Sequence, residues 1–505
     1  MSASLLTPDT TPGSVGPRDP GPAGEDEVFP PTRGEVKVLI DAERTFREMH
    51  DRMAGAQRYI YLAGWFIQLE TLVNGTGQPP TLLQLLRRIV RKRSVQVRVL
   101  LSFLPPEFFP KATPAEETKK RLLALEPEGR QLAVQVFTHP FFRTIPVPGK
   151  GKNIRLTLGT SHEKMMVVDG KYGFCGGLEF TKEYAKAHRH DVHMLVEGAA
   201  VKHLEQHFVT HWREVRAARG RGSKEVDPGD LPDAASNYDP SKSRHAVQVA
   251  ITKSKDSYLG IDYSNLVHGV FDAYLAAVQQ AKDYIYIENQ YFRDKALAKA
   301  IRVRLEERPE LETIIVLPHR AEEDESPAAL YAEFIQRETI DLLREFDPKG
   351  TRVGFFSLKS SRTEKIYVHA KVMIVDDKWM TTGSANANPR SFYLDSETNV
   401  VVRDEGLARR SRLELWKEHF ISQGTKGGSA QSKRIETAVP STFLDLWAAA
   451  ARDNAEREKR GRPLSSRVVI HEPAPGKKIP FDQIPLMPDA EKLVGEFPPG
   501  SDSPA

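Results

Sequence analysis

Two short stretches carry residues whose types and spacing could do phosphoryl chemistry. Residues 160 to 177 read TSHEKMMVVDGKYGFCGG and residues 367 to 384 read YVHAKVMIVDDKWMTTGS. Both follow one pattern, His-x-Lys-x4-Asp-x6-Gly followed by Gly or Ser, centred on His162, Lys164 and Asp169 in the first and His369, Lys371 and Asp376 in the second. A histidine two residues from a lysine on a strand shares its face, which places a nucleophile or proton donor beside a fixed cation. That pairing suits attack on an anionic phosphodiester. A single match would mean little, because a lone histidine on an apolar strand is usually a satisfied core residue. Two matches with the same downstream glycine make one shared site the better reading, each copy supplying half of it. A lysine is costly to bury without a partner, so two lysines aimed into one cleft call for an anionic ligand.

The elements that must hold these motifs repeat as well. Residues 56 to 62, AQRYIYL, match residues 281 to 287, AKDYIYI, each ending in an aromatic-rich strand. VQVRVLL at 95 to 101 corresponds to TIIVL at 313 to 317, and LAVQVF at 132 to 137 to TRVGFF at 351 to 356. Order is kept through the motif strands MMVV and VMIV. The sequence therefore predicts two copies of one α/β unit fused head to tail, a mixed sheet flanked by helices in each, related by a pseudo-twofold axis with one active site. A helix is predicted over VLIDAERTFREMHDRMAGA and another over TLLQLLRRIVRKR. Asp169 and Asp376 belong to the motifs but fall at Asp-Gly and Asp-Asp-Lys, where hairpin turns are expected, and are predicted to brace those turns.

Further candidates come from equal spacing. HDVHMLV at 190 to 196 aligns with SETNVVV at 396 to 402, so Asp191 and Glu397 lie 29 and 28 residues after His162 and His369. A carboxylate on the second nitrogen of a catalytic imidazole fixes its tautomer, and each is expected to do this for the histidine of its own half. Gly176 and Gly177 either contact phosphate or permit close strand packing; Ser384 carries the same two alternatives.

Domain boundaries follow composition. Residues 1–33, rich in Pro, Gly and acidic side chains, are predicted to be a disordered tail. The first repeat spans 34–218, a linker 219–244, the second repeat 245–425, and an extension of unassigned role 426–505. At 505 residues with net charge +4 the chain is only mildly basic, which argues against nucleic acid as the partner. One cysteine, Cys175, excludes an intrachain disulfide. No basic n-region or long apolar run is visible, so the expected location is the cytoplasm, or outside it by a route independent of a signal peptide.

HAKVMIVDDKWMTTGSANANPRS with DSE at 395 to 397 resembles the second signature of the phospholipase D superfamily; IENQYF at 287 to 292 resembles a motif of its phospholipase members. HEKMMVVDGKYGFCGGLEFT is similar to the first signature. The resemblance covers roughly residues 35 to 425 and is nearest to phospholipase D and cardiolipin synthase-like members. It implies covalent catalysis through phosphohistidine without a metal or other cofactor. His162 would attack phosphorus, His369 would protonate the leaving alcohol, and Lys164 and Lys371 would neutralise phosphate oxygens with Asn386 and Ser384. Glu179 stands where the second half has Asn386, so that contact is not expected in the first half.

The expected reaction is hydrolysis of a phospholipid to phosphatidic acid and a free head-group alcohol. Phosphatidyl transfer of the cardiolipin synthase type is the alternative, weakened by the lack of membrane helices. A nuclease comes third and an inactive lipid-binding protein fourth. The substrate would be met at a membrane surface. Phe108 and Phe109, with Phe141 and Phe142, sit among Pro and basic residues and form either a lip that dips into lipid or ordinary packing under a loop.

Overall fold

The computed structural model describes residues 29–73, 80–92, 95–102, 115–127, 133–139, 143–146, 153–156, 160–181, 189–218, 230–233, 237–254, 266–320, 327–420 and 428–473. The first repeat runs β1 (Thr32–Ile40), α1 (Asp41–Gly55), β2 (Tyr59–Gly64), α2 (Leu82–Lys92), β3 (Gln96–Ser102), α3 (Ala115–Leu123), β4 (Val134–His139), β5 (Arg143–Pro146), β6 (Asn153–Leu156), β7 (Met165–Val168), β8 (Tyr172–Gly176), β9 (Arg189–His190), β10 (Val192–Glu197) and α4 (Val201–Ala218). The second runs β11 (His245–Ser254), β12 (Leu266–His268), α5 (Gly269–Gln280), β13 (Tyr284–Asn289), α6 (Lys295–Glu307), β14 (Glu312–Val316), α7 (Pro327–Phe346), β15 (Val353–Lys359), β16 (Lys365–Val368), β17 (Lys371–Val375), β18 (Trp379–Gly383), β19 (Glu397–Arg403) and α8 (Glu405–Phe420). After it come α9 (Gly428–Thr437), α10 (Phe443–Lys459) and β20 (Val468–Ile470).

Strand order makes the duplication explicit. The first sheet reads β4-β3-β2-β7-β8-β10-β1 and the second β15-β14-β13-β17-β18-β19-β11, each parallel over its first three strands and antiparallel thereafter. β1 and β11 pair antiparallel at their starts, Gly34 opposite His245, and join the two sheets. One core, which includes Val167, Cys175, Met194, Val249, Val372 and Val400, contains residues of both sheets together with α4, α8 and α10. Two separate outer cores hold α1 to α3 and α5 to α7.

Three local expectations are corrected. Val38, Leu39 and Ile40 belong to β1 rather than to the following helix, because they pair with Met194, His193 and Val192 of β10. The helix starts at Asp41, whose left-handed φ of 63° makes the corner. The predicted boundary at residue 33 falls inside β1, and the side chain of Phe29 is already buried against the core. His162 and Lys164 precede β7, and His369 precedes β17, so the motifs occupy strand entries rather than strand interiors. The extension is part of the second repeat's packing: β20 pairs with β15 and Trp447 of α10 is fully buried.

Candidate active site

The strand entries carrying the two histidines dock on the opposite repeat. Ser161 bridges Ser396, and the His162 N–H donates to the Ser396 carbonyl at 2.9 Å. In the same way Val368 pairs with His190, and the His369 N–H donates to the His190 carbonyl at 2.8 Å. This crossing decides which carboxylate reaches which imidazole. His162 Nδ1 lies 2.8 Å from Glu397 Oε1, and His369 Nδ1 lies 2.8 Å from Asp191 Oδ2. Both spacing-derived carboxylates are therefore at an imidazole, but each serves the histidine of the other repeat, not its own half. A carboxylate only accepts, so the proton sits on Nδ1 and Nε2 is left as the reactive nitrogen. Lys371 Nζ is also 3.2 Å from His369 Nδ1, yet the shorter, oppositely charged contact holds the ring proton. Glu397 and Asp191 are fully buried, and each histidine is 8% exposed.

The two lysines differ in their partners. Lys164 Nζ forms an ion pair with Glu179 Oε1 at 2.9 Å and donates to the His162 carbonyl. Lys371 Nζ donates to the His369 carbonyl and, at 3.3 Å, to neutral Gln290 Oε1. Burial lowers the Lys371 pKa to about 7, with Lys164 pushing the same way and Asp191, Glu397 and Glu179 resisting. His369 is held well below the usual imidazole range, first by burial and then by Lys371, Arg189, Lys164 and His162. Both groups will thus take a proton more readily when an anion enters. Asn386 is buried and its Oδ1 has no hydrogen-bond partner among the described residues, whereas Glu179 at the matching place is occupied by Lys164 and the Phe66 N–H.

Other candidates are placed elsewhere. Asp169 accepts the backbone N–H groups of Gln57, Arg58 and Tyr59 at 2.8 to 2.9 Å, and Asp376 those of Lys282, Asp283 and Tyr284. Both aspartates take left-handed φ angles, 55° and 53°, at the hairpin corners. Although both belong to the two motifs that carry the candidate catalytic residues, they brace the turns, as their place at the corners predicts, and the catalytic set is corrected to leave them out. Ser384 Oγ is fully buried and accepts the Thr398 N–H at 3.0 Å. A Cβ on Gly176 would stand 2.2 Å from His193, and one on Gly177 would stand 2.2 Å from Asp191 Oδ1. Gly177 is needed so that Asp191 can approach; close packing is the reading that fits both glycines. Phe108, Phe109, Phe141 and Phe142 lie outside the described residues.

Sequence reasoning missed Trp65 and Gln290. Trp65 sits edge-on to His162 at 5.0 Å between centroids, and Gln290 links Lys371 to the Tyr367 hydroxyl. They follow the matched strands at equivalent places, which was the available signal. Two buried groups have metal-ligand chemistry, Glu163 with His207 and His211, and His190 with Glu288 and His419. In both, ring nitrogens face carboxylate oxygens at 2.6 to 3.0 Å, the separations of hydrogen-bonded pairs.

Comparison with known proteins agrees with this geometry. A family model described as "Cardiolipin synthase, PLD-like domain" matches residues 274–418, and one described as "Phospholipase D" matches residues 177–297. Cardiolipin synthase 2 of Staphylococcus epidermidis is 23% identical over 391 residues, covering 76% of this chain and 67% of that protein. Major cardiolipin synthase ClsA of Bacillus subtilis is 24% identical over 382 residues, 74% of this chain and 67% of its own length. Phospholipase D A of Dictyostelium discoideum is 22% identical over 478 residues, 76% of this chain and 35% of its own. Among solved structures, phosphatidylserine synthase of Haemophilus influenzae Rd KW20 superposes with TM-score 0.54 at 13% identity, over 85% of this chain and 96% of that one, which speaks for the fold. Duplicated sheets, paired motifs and matching family models together make this chain a member of the phospholipase D superfamily.

Proposed function

We propose that the chain is a phosphatidyltransferase of the cardiolipin synthase type, working through a phosphohistidine. His369 takes a proton on Nε2 as the anionic substrate enters; His162 Nε2 then attacks phosphorus while the bond to the head-group oxygen breaks, and His369 Nε2 gives that oxygen its proton. The now neutral His369 takes the proton of an incoming alcohol, whose oxygen displaces His162 and restores the free enzyme. With phosphatidylglycerol as donor and acceptor, the products are cardiolipin and glycerol. Lys164 and Lys371 offset the charge on the non-bridging oxygens, and Asn386 offers its amide to them.

The observation that carries this reading is a pair of imidazoles, each with Nδ1 bound by a carboxylate of the other repeat, so that two Nε2 atoms serve one site. Transfer is preferred to the hydrolysis expected from sequence because the relatives above include cardiolipin synthases. The burial of both histidines adds to this, since it limits access of bulk water to the intermediate. Hydrolysis to phosphatidic acid is the second reading, favoured by the likeness to Phospholipase D A.

Phosphatidylglycerol vesicles separate the two. Cardiolipin and glycerol in equal amounts, reversed by added glycerol, are the expected products; phosphatidic acid with little cardiolipin would establish hydrolysis instead. Asp191 and Glu397 are committed to imidazoles and Glu179 to Lys164, with Lys371 close by, a poor setting for a divalent cation. Activity is accordingly expected to persist in excess EDTA, and loss reversed by Mg²⁺, Ca²⁺ or Zn²⁺ would overturn the proposed chemistry.

A further inference from the structure

We infer that Asp41, His190, Glu288 and His419 form an ionic network, buried except at the half-exposed Asp41, whose task is to position Asp191 on His369 across the boundary between the repeats. His190 immediately precedes Asp191, and its ring lies between two carboxylates. Nδ1 is 3.0 Å from Asp41 Oδ1 and Nε2 is 2.7 Å from Glu288 Oε2. Because carboxylates only accept, both ring nitrogens must donate, which makes His190 an imidazolium at the centre of the network. Glu288 in turn accepts from His419 Nε2 at 2.8 Å and from the Tyr286 hydroxyl. His190, Glu288 and His419 are at most 1% exposed.

The network ends on the backbone that carries Asp191. Asp41 Oδ1 accepts the Asp191 N–H at 3.1 Å, and the Asp41 N–H donates to the Asp191 carbonyl at 2.8 Å. Asp41 does this at φ 63°, a left-handed conformation that costs a non-glycine residue about 1 to 2 kcal/mol. Backbone strain of this kind persists where surrounding contacts over-determine it. The imidazolium offsets the negative charge of Asp41 and Glu288 close behind Asp191; without it, these three carboxylates and the neighbouring Glu418 would crowd one corner.

The places that match Asp41, His190 and Glu288 behind the other carboxylate, Glu397, carry different residues. Strand register places Thr252, Ser396 and Ala63 where the first set has Asp41, His190 and Glu288. This network is therefore attached to the pair of His369, whereas the other buried group, Glu163 with His207 and His211, adjoins His162. Its charged neighbours are Glu418, 3.6 Å from His190 Nδ1, and Arg467, which pairs with Glu418. Burial opposes the charge on His190, but Glu288, Asp41 and Glu418 outweigh it and hold its pKa well above the usual imidazole value. The charged form is present below that raised pKa and lost above it, so removing one carboxylate brings the loss to lower pH.

The test uses the full chain labelled with ¹⁵N-histidine. In the unmodified protein His190 should give imidazolium shifts at pH 7.5, and His162 and His369 should each give a hydrogen-bonded Nδ1–H signal. Glu288→Gln should displace or broaden the His369 signal and leave that of His162 in place. In the transfer assay, on which only this readout depends, kcat should fall about tenfold with KM little changed, as for partners of an oriented imidazole. The alkaline limb of the kcat profile should move to lower pH. His419→Gln, farther from Asp191, should do the same to a smaller extent and serves if Glu288→Gln does not fold. A folded variant with an unchanged His369 signal and an unchanged pH profile would overturn the inference, whatever its thermal stability. So would a neutral His190 in the native protein at pH 7.5, a measurement that stands even if both variants unfold. Absence of turnover in the unmodified protein would count against the proposed reaction alone, since the resonances are read without substrate.

Discussion

Lys371 is the residue whose charge depends most directly on what occupies the site. With its pKa lowered to about 7, the ammonium is about half formed at neutral pH in the empty protein. A bound oxyanion supplies the opposite charge that burial denies it and brings the pKa back up. Binding of tungstate, a dianion throughout this range, should therefore take up protons, Lys371 contributing about half a proton at pH 7 and close to one at pH 8, and affinity should fall as pH rises. Calorimetry in buffers of different ionisation enthalpy measures this, and Lys371→Met should reduce the buffer dependence between pH 7.5 and 8.5 by the share that Lys371 contributes. Heats independent of buffer in the native protein would contradict the lowered pKa. The histidines, lysines and carboxylates of this site were legible in the sequence, because two copies of one motif supply each other's control. The different environments of the lysines were legible only in part. Glu179 opposite Asn386 showed the asymmetry, but Gln290 approaches Lys371 from another strand.

At the scale of elements, the turn aspartates show what a motif letter can and cannot say. Asp169 and Asp376 repeat as faithfully as the histidines, yet their oxygens are filled by backbone N–H groups at the starts of β2 and β13. Asp-Gly and Asp-Asp at the corners were sufficient to predict this role. Asp169→Ala would strand donors that are partly or wholly buried, at a cost of about 2 to 3 kcal/mol, or roughly 2 to 4 °C in Tm for a chain of this size. Asp376→Ala should cost less, since two of its three donors are solvent-exposed. Both variants should keep kcat near normal, as neither oxygen touches an imidazole; a thermal melt with a turnover assay checks the pair. The first helix was misread for a related reason. Val38, Leu39 and Ile40 suit a helix face or a buried strand equally well, and what decides between them is pairing with β10, more than 150 residues away.

Over the whole molecule, the crossed pairing determines how the chemistry is divided. Repeat spacing identified Asp191 and Glu397 but assigned each to its own half, because periodicity within a repeat does not say which side of a pseudo-dyad a side chain reaches. Docking of residues 160 to 162 on Ser396, and of 368 to 369 on His190, puts each carboxylate beside the other repeat's histidine. In the proposed reaction Glu397 therefore serves the nucleophile His162, and Asp191 serves the acid-base His369. A phosphatidyl ester of p-nitrophenol separates these roles, since its leaving group departs without a proton. Asp191→Asn should form phosphohistidine on this substrate at a near-normal rate and then accumulate it, because His369 can no longer activate the incoming alcohol. Glu397→Gln should instead be slow to form phosphohistidine, by roughly 10² to 10⁴-fold, the scale seen when an imidazole loses its orienting carboxylate. Rapid-quench trapping of the phosphoenzyme reads both. Pairing within each half requires the opposite result, with Asp191→Asn blocking formation and Glu397→Gln trapping the intermediate, and that outcome would overturn the crossed assignment.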